Sequence, residues 1–172
     1  MLIVTIYFLL SFSVVWGQTV QMPWHAHGMF SFLLDDKWHD SGAQLSADRL
    51  FEHSVGQQRE FLSIFIVPQE KINFTFSKRK EELLYQQKKD VWAKKRGIEI
   101  VKFYPLITDI KTGYQHYLFG MRYRIGERQL EEFSSYHFCQ GKVVLIKGLG
   151  MATTEFISHT MQQIKQSFKC IE

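Results

Sequence analysis

Residues 115–147 read QHYLFGMRYRIGERQLEEFSSYHFCQGKVVLIK, and the pattern of this stretch decides the fold. Its first part, residues 115–124, alternates with the two-residue period of a β-strand. The side chains that share one face of this strand are Tyr117, Phe119, Met121 and Tyr123.

Two more apolar stretches, 130–138 and 142–147, follow after short turns at 126–128 and 140–141. Turns this short join antiparallel neighbours, so we predict a meander. A strand at 98–104, which we expect to end at Pro105, precedes it and makes four strands.

Strands are also predicted upstream. Residues 61–67 (FLSIFIV) are apolar at nearly every position, which indicates a central strand covered on both faces. Shorter strands are expected at 29–34 and 50–55. Residues 18–28 have the composition of a loose lead-in without regular structure. Residues 40–43 (DSGA) have the composition of a turn.

Two helices complete the pattern. Residues 77–96 are rich in helix formers and precede Gly97, a natural C-terminal stop. Their apolar stripe is narrow and comprises Phe76, Leu83, Leu84, Val91 and Trp92. Residues 153–168 form a second helix that Thr153 can cap. A clean stripe on this helix suits the face of a sheet: Ile157, Met161, Ile164 and Phe168.

These elements predict an α+β fold, in which helices pack on a largely antiparallel sheet. The 172 residues, 45% apolar, suffice for one domain, which we place at residues 18–172. A charged fraction of 22% excludes wholesale disorder. The two cysteines exclude a disulfide-framework mini-protein and a four-cysteine zinc site.

Residues 1–17 have the pattern of a secretory signal peptide, and Gln18 is a plausible mature N-terminus. The alternative is a single membrane anchor, although the apolar run is shorter than the roughly 20 residues that span a bilayer. No later stretch is apolar enough to span. We therefore expect a secreted or periplasmic protein in an oxidising compartment.

The order of these elements resembles the PsbP-like family of α/β/α sandwiches, which includes DcrB-type bacterial envelope proteins. The similarity lies in Phe30-Ser31-Phe32 with Trp38, in Gly113 with the strand Tyr117–Tyr123, in Tyr136-His137-Phe138 with Gly141-Lys142, and in Ile164, Ser167 and Phe168 of the closing helix. This sequence lacks the proline that usually precedes the tryptophan. The resemblance implies a binding or assembly role in the cell envelope and transfers no catalytic residue.

The two cysteines are predicted to form a disulfide. Cys139 ends the third meander strand. The next strand runs away from it, and the last helix returns Cys170 to the same end. Two free thiols are the alternative. A sharper alternative makes Cys139 a nucleophile with His137, two residues earlier on the same strand face.

The remaining candidates for chemistry are weak, and we expect no enzyme, no cofactor and no metal site. His25 and His27 could chelate copper or zinc, and His39 and His53 follow within thirty residues, but nothing fixes a complete ligand set.

The acidic pairs Asp35-Asp36 and Glu131-Glu132 are expected at the surface. Gly148-Leu149-Gly150 is read as a turn. The sequence contains no Gly-x-Ser-x-Gly, P-loop or His-Glu-x-x-His motif.

Charge is the most informative functional signal. The chain carries a net charge of +4, whereas the helix at 77–96 alone carries +5. We predict that its cations bind a partner: Lys78, Arg79, Lys80, Lys88, Lys89, Lys94, Lys95 and Arg96. An acidic protein or an anionic envelope component suits such a face. Nucleic acid is disfavoured by the compartment, and a simply solvated helix face remains the alternative.

The sequence leaves three functions open. The first is a non-enzymatic binding or assembly protein of the envelope that uses the basic helix or a groove between helix and sheet. The second is a carrier of a small apolar ligand or lipid, which the 15 Phe, 7 Tyr and 4 Trp residues could surround. The third is an envelope enzyme with an unrecognised site.

Overall fold

The computed structural model describes residues 21–26, 29–111 and 114–171. The predicted signal peptide at 1–17, the expected N-terminus at Gln18, and His27 lie outside the described residues.

The described chain contains ten strands and two α-helices, with a short 3-10 helix at Gln69–Lys71. The helices are α1 (Lys78–Arg96) and α2 (Phe156–Ser167). The strands are β1 (Gln21–Ala26), β2 (Phe30–Asp35), β3 (His39–Gly42), β4 (Arg49–Val55), β5 (Gln58–Pro68), β6 (Glu99–Lys111), β7 (Tyr114–Ile125), β8 (Arg128–Cys139), β9 (Lys142–Met151) and β10 (Lys169–Cys170).

Seven strands form one antiparallel sheet in the order β3-β4-β5-β9-β8-β7-β6. The predicted meander is confirmed as β6 to β9, and β9 returns to lie beside β5. β5 is interior, as predicted, but only one of its faces is well buried. Glu60, Leu62 and Ile64 are buried, whereas Phe61 and Phe65 on the other face are half-buried. The expectation of cover on both faces is wrong there, because α1 packs along β6, at the far edge of the sheet.

A second, small sheet has the order β1-β2-β10. The expectation of a loose lead-in is therefore wrong for Gln21–Ala26, which pairs with β2 from Gln21 opposite Asp35 to Ala26 opposite Phe30. β2 receives β10 on its other edge, where Cys170 lies opposite Phe30.

Two cores lie on opposite faces of the large sheet. The larger one packs β2 and α2 against it and includes the predicted stripe Ile157, Met161, Ile164 and Phe168, all of which are fully buried. The smaller one contains Tyr117, Phe119 and Phe138 under Phe74 and Tyr85. The architecture is thus the predicted α+β arrangement, with helices on both faces.

Four local predictions need correction. α2 begins at Phe156, and Thr153 does not cap it; Glu155 occupies the N-cap position with φ 51°, and its side chain makes no capping hydrogen bond. β6 continues through Pro105 to Lys111, with irregular register between Tyr104 and Ile107. An edge strand tolerates a proline at such an irregularity.

The predicted turn at Gly148-Leu149-Gly150 is instead part of β9. These glycines serve close packing, because a Cβ at Gly148 would lie 2.7 Å from Cδ1 of Ile157. The turn expected at 40–43 is likewise mostly strand: residues 40–42 belong to β3, with irregular register between Asp40 and Gly42.

Candidate functional site

Helix α1 is fixed at both ends by contacts that the local sequence provides. The buried carboxylate of Glu81 accepts hydrogen bonds from the backbone N–H and the hydroxyl of Thr75, both at 2.6 Å. At the other end Gly97 adopts the left-handed conformation, with φ 63°, and closes the helix as predicted. Glu82 accepts a bond of 3.1 Å from the backbone N–H of Leu106 in β6, which ties the helix to the sheet edge.

The inward face of α1 is partly polar. Glu81 and Ala93 are its buried residues, and Tyr85 stacks on Phe119 of the sheet at 4.8 Å between ring centroids. Lys89 lies on this face and forms an ion pair with Glu132 of β8. Lys89 therefore differs from the other predicted partner-binding cations, because its charge is neutralised within the fold.

The other seven predicted cations lie at the surface. All of the following are exposed: Lys78, Arg79, Lys80, Lys88, Lys94, Lys95 and Arg96. None of them forms an ion pair with another residue that the structure describes. Of the three carboxylates on the helix, Glu81 and Glu82 are bonded inward, and only Asp90 is fully exposed. The outward field is thus more positive than the net charge of the helix suggests.

Three residues of the narrow apolar stripe of α1 do not face the sheet. Leu83, Leu84 and Val91 are 49%, 37% and 53% exposed. These aliphatic side chains share the outward surface with the lysines. The outward face of α1, comprising Lys80, Leu83, Leu84, Gln87, Lys88, Val91, Lys94 and Lys95, is called the α1 face below.

A groove between α2 and the sheet is the second candidate site. It has a volume of about 720 Å³, and its floor is formed by Tyr104, Ile107, Leu118 and Phe133. Its polar rim, on and just before α2, includes Thr154, Glu155, Ser158 and His159. Concave apolar sites of this size suit small ligands. The sequence offers one clue to this groove, Gly120 inside a strand, where a Cβ would lie 2.6 Å from the ring of Phe133.

A buried carboxylate lies beside this groove. Glu131 accepts bonds from Nε and Nη2 of Arg122, at 3.0 and 2.6 Å, and from the hydroxyl of Tyr104. Burial, and then the bond to Glu131, raises the pKa of Tyr104 to about 12. The expectation that Glu131 lies at the surface is wrong, because Arg122 compensates its charge inside the fold. Glu132, its neighbour, points to the opposite face and pairs with Lys89.

The predicted disulfide is confirmed. Cys139 and Cys170 are bonded, with their Cα atoms 5.6 Å apart. Cys139 is therefore not a nucleophile. His137 stacks on Phe168 at 3.7 Å between ring centroids, and its Nε2 lies 2.8 Å from the hydroxyl of Ser135. This histidine belongs to the core.

The remaining histidines do not assemble a metal site in the part of the chain that is described. No group of three or more His, Cys, Asp or Glu residues is placed there so as to hold a metal ion. His25 belongs to β1, His39 is exposed, and His53 is buried with its Nδ1 3.3 Å from the carboxylate of Glu60. As to membranes, neither of the two described helices is long and apolar enough to cross a bilayer.

No protein-family model and no curated protein sequence matches the chain. Among solved structures it is similar to the cyanobacterial PsbP protein CyanoP of Synechocystis sp. PCC 6803, with a TM-score of 0.63 and 16% identity, over 91% of this chain and 95% of that one. It is also similar to LpqN of Mycobacterium tuberculosis, a protein involved in cell envelope biogenesis, with a TM-score of 0.56 and 8% identity, over 88% of this chain and 91% of that one. The chain therefore has the PsbP-like fold that the sequence resemblance predicted.

Proposed function

We propose that this chain with a PsbP-like fold is a secreted, non-enzymatic binding or assembly protein of the cell envelope, which holds an acidic partner through the α1 face. One observation carries the proposal: seven cations of one helix are exposed and form no ion pair with a described residue, while two of the three nearby carboxylates are bonded inward. Solubility needs no such segregation of charge, whereas an acidic partner surface is complementary to it.

Three further observations support the location and the absence of catalytic chemistry. The pattern of residues 1–17 is typical of a secretory signal peptide. LpqN, which shares the fold, is involved in cell envelope biogenesis. The only cysteine sulfurs are bonded to each other, and the buried glutamates Glu60 and Glu131 are engaged in structural hydrogen bonds.

The test is a binding experiment with a charge-reversed variant. Immobilised protein, starting at Gln18, is used to capture partners from an envelope extract of its source, and each captured protein is then measured against the purified chain. We expect Lys88→Glu/Lys94→Glu/Lys95→Glu to lose a partner that wild type retains, chiefly through slower association, and added salt to weaken the wild-type complex.

The matched control reverses exposed cations elsewhere. Lys37→Glu/Arg128→Glu/Lys169→Glu changes the net charge by the same amount, and all three residues are exposed and distant in sequence from α1. A partner that the control and the α1 variant bind equally well, with no dependence on salt, would contradict the proposal.

A second candidate function is carriage of a small apolar ligand in the groove beside α2. The observation that favours it is the apolar floor of Tyr104, Leu118 and Phe133. Native mass spectrometry of protein isolated from its own envelope would then show a bound molecule. Ser158→Trp, which fills the rim, should release it, and Ser158→Ala, which leaves the groove open, should retain it.

A further inference from the structure

The exposed aliphatic side chains of the α1 face are spaced in a regular way. Leu84 and Val91 are seven residues apart and Gln87 lies between them, so that the three form one line along the helix. Lys80 and Lys94 extend this line at both ends. Leu83 lies beside it and is also exposed. Two buried residues of the same helix, Glu81 and Ala93, mark the face that is turned towards the sheet.

The two flanks of this line differ in charge. Lys88 and Lys95, again seven residues apart, follow one flank, while Leu83 and Asp90 follow the other. An apolar line with a seven-residue repeat is the geometry with which one helix packs lengthwise against another. Charges on the flanks of such a line select the partner and its orientation.

Resting on the proposed function, we infer that the acidic partner presents an amphipathic helix, which packs its apolar side along Leu84, Gln87 and Val91 and sets carboxylates against Lys88 and Lys95. Complementary charge identifies this occupant. A second copy of the chain would instead bring cations together, because Lys80 and Lys94 on the line would meet their own copies in a parallel pair and Lys88 and Lys95 would meet theirs in an antiparallel pair. Like charges at close range are unfavourable.

An anionic membrane suits the α1 face less well. Gln87, at the centre of the line, would have to enter the apolar layer, and Asp90 would approach anionic headgroups. In a helix pair, by contrast, a central glutamine finds a side-chain partner, as polar residues at such positions do. The exposed apolar residues are also aliphatic, whereas helices that lie in membrane interfaces commonly carry Trp or Phe as well.

The experiment uses a defined probe. This is a synthetic helix of about four heptads with Leu at the two core positions, except for one central Gln that can pair with Gln87, and with Glu at the flanking positions. A second peptide carries Lys at the flanks. Binding is measured by fluorescence anisotropy on the chain from Gln18. We expect saturable, salt-sensitive binding of the acidic peptide, with a Kd in the micromolar range because the line is short, and no binding of the basic peptide.

Two exposed pairs separate the contributions of packing and charge. Leu84→Ala/Val91→Ala removes the apolar line but preserves the helix, because alanine is a strong helix former. It should weaken the binding of the acidic peptide about tenfold. Lys88→Glu/Lys95→Glu should weaken it by a similar factor or more, whereas Lys37→Glu/Arg128→Glu should bind like wild type. Circular dichroism of each variant verifies that the fold is retained.

Several results would overturn the inference. One is the absence of saturable binding up to about 1 mM acidic peptide, and another is peptide binding that Leu84→Ala/Val91→Ala leaves unchanged. A third is that wild type sediments with anionic phospholipid vesicles and this variant does not. The fourth is that wild type forms a dimer and this variant is a monomer. The proposed function is tested separately with a captured natural partner. If that partner is lost by Lys88→Glu/Lys95→Glu but retained by Leu84→Ala/Val91→Ala, the α1 face binds it without a helix, so that the proposed function stands and this inference fails.

Discussion

Glycines at two positions of β9 allow side chains from other elements to reach the sheet. At Gly148 the Cδ1 and Cγ1 atoms of Ile157 take the space of a Cβ, and at Gly150 the nearest atom is Oε1 of Glu60, 2.9 Å from that position. That same carboxylate oxygen accepts a bond of 2.6 Å from Thr154, in the segment that leads into α2. The two glycines thus let α2 and its preceding turn approach the sheet closely.

We predict that Gly148→Ala destabilises the protein by about 1–3 kcal/mol, because the added methyl group overpacks the contact with Ile157. Ile157→Val removes the Cδ1 atom that lies nearest. The double variant should therefore be more stable than the sum of the two single changes predicts. Urea unfolding of all four proteins gives the coupling free energy, and strict additivity would show that the two residues do not compete for the same space.

Tyr114 supports a second prediction at this scale. Its hydroxyl donates a bond of 2.8 Å to the carbonyl of Phe168, and burial raises its pKa from 10.0 to about 12, with a smaller contribution from Asp109. A raised folded-state pKa stabilises the fold fully below pH 10, and this contribution is lost as the pH rises towards 12. Tyr114→Phe should cost about 1 kcal/mol at neutral pH. Its stability should also fall less steeply than that of wild type between pH 10 and 12, as measured by denaturant unfolding at each pH. Parallel curves would contradict the assignment.

At the scale of elements, adjacent lysines of α1 have opposite roles. Lys89 and Glu132 form an ion pair in which their side chains are only 21% and 17% exposed, and Lys89 lies over the rings of Tyr85 and Trp92. Lys88 is exposed. Lys89 therefore belongs to the inner surface of the helix, and Lys88 belongs to the α1 face.

We expect Lys89→Glu to lower the free energy of unfolding by about 2–4 kcal/mol, since it leaves Glu132 beside a like charge in a partly buried position. Lys88→Glu should change stability by no more than about 0.5 kcal/mol. Thermal and urea unfolding of the two variants provide the measurement, each serving as the other's control. Equal losses would mean that the partition of the helix into an inner and an outer face is wrong.

A comparison of α1 with α2 shows what the sequence can predict. The stripe of α2 is four apolar residues at helical spacing, and all four are buried, because they pack into the larger apolar core. The apolar residues of α1 gave no such guide. Its inner face uses Tyr85, Lys89 and Trp92, whose long side chains cover the sheet while Lys89 keeps its charge paired. The partner of Lys89 lies 43 residues away, and no local pattern marks it.

The candidate site, likewise, could be predicted only in part from the sequence. The exposed cations follow from the charge run itself. The groove does not, since it is built from three separate strands and from α2, and requires their tertiary arrangement. The extension of β6 past Pro105 also escaped prediction, because only its position at the edge of the sheet makes a proline acceptable.

At the scale of the whole molecule, the two sheets are joined by a covalent link. The disulfide connects the end of β8 in the large sheet to β10 in the small one. Next to it, Phe168 packs between the two sheets: it stacks on Phe30 at 5.5 Å and on His137 at 3.7 Å between ring centroids.

We predict that Cys139→Ser/Cys170→Ser lowers the free energy of unfolding by about 3–4 kcal/mol, because the bridge closes a segment with a sequence separation of 31. The variant should still fold, since the aromatic packing around Phe168 remains. Denaturant unfolding and thiol titration of wild type test this, and wild-type thiols that react in the native, non-reduced protein would contradict it. Phe168→Ala, which removes packing and keeps the bridge, is the matched comparison and should cost about 3–5 kcal/mol.

The small sheet also has a consequence for the order in which the molecule can be assembled. β2 obtains its first neighbour from the residues just before it and its second from the last residues described, where Cys170 meets Phe30. During synthesis at about 5–20 residues per second, one edge of β2 must therefore wait for nearly the whole chain to appear. Throughout that time FSFLL is an apolar strand with an open edge, the kind of segment that chaperones bind and that aggregates when left alone. Loss of β10 would therefore leave one edge of β2 unpaired in the folded molecule as well.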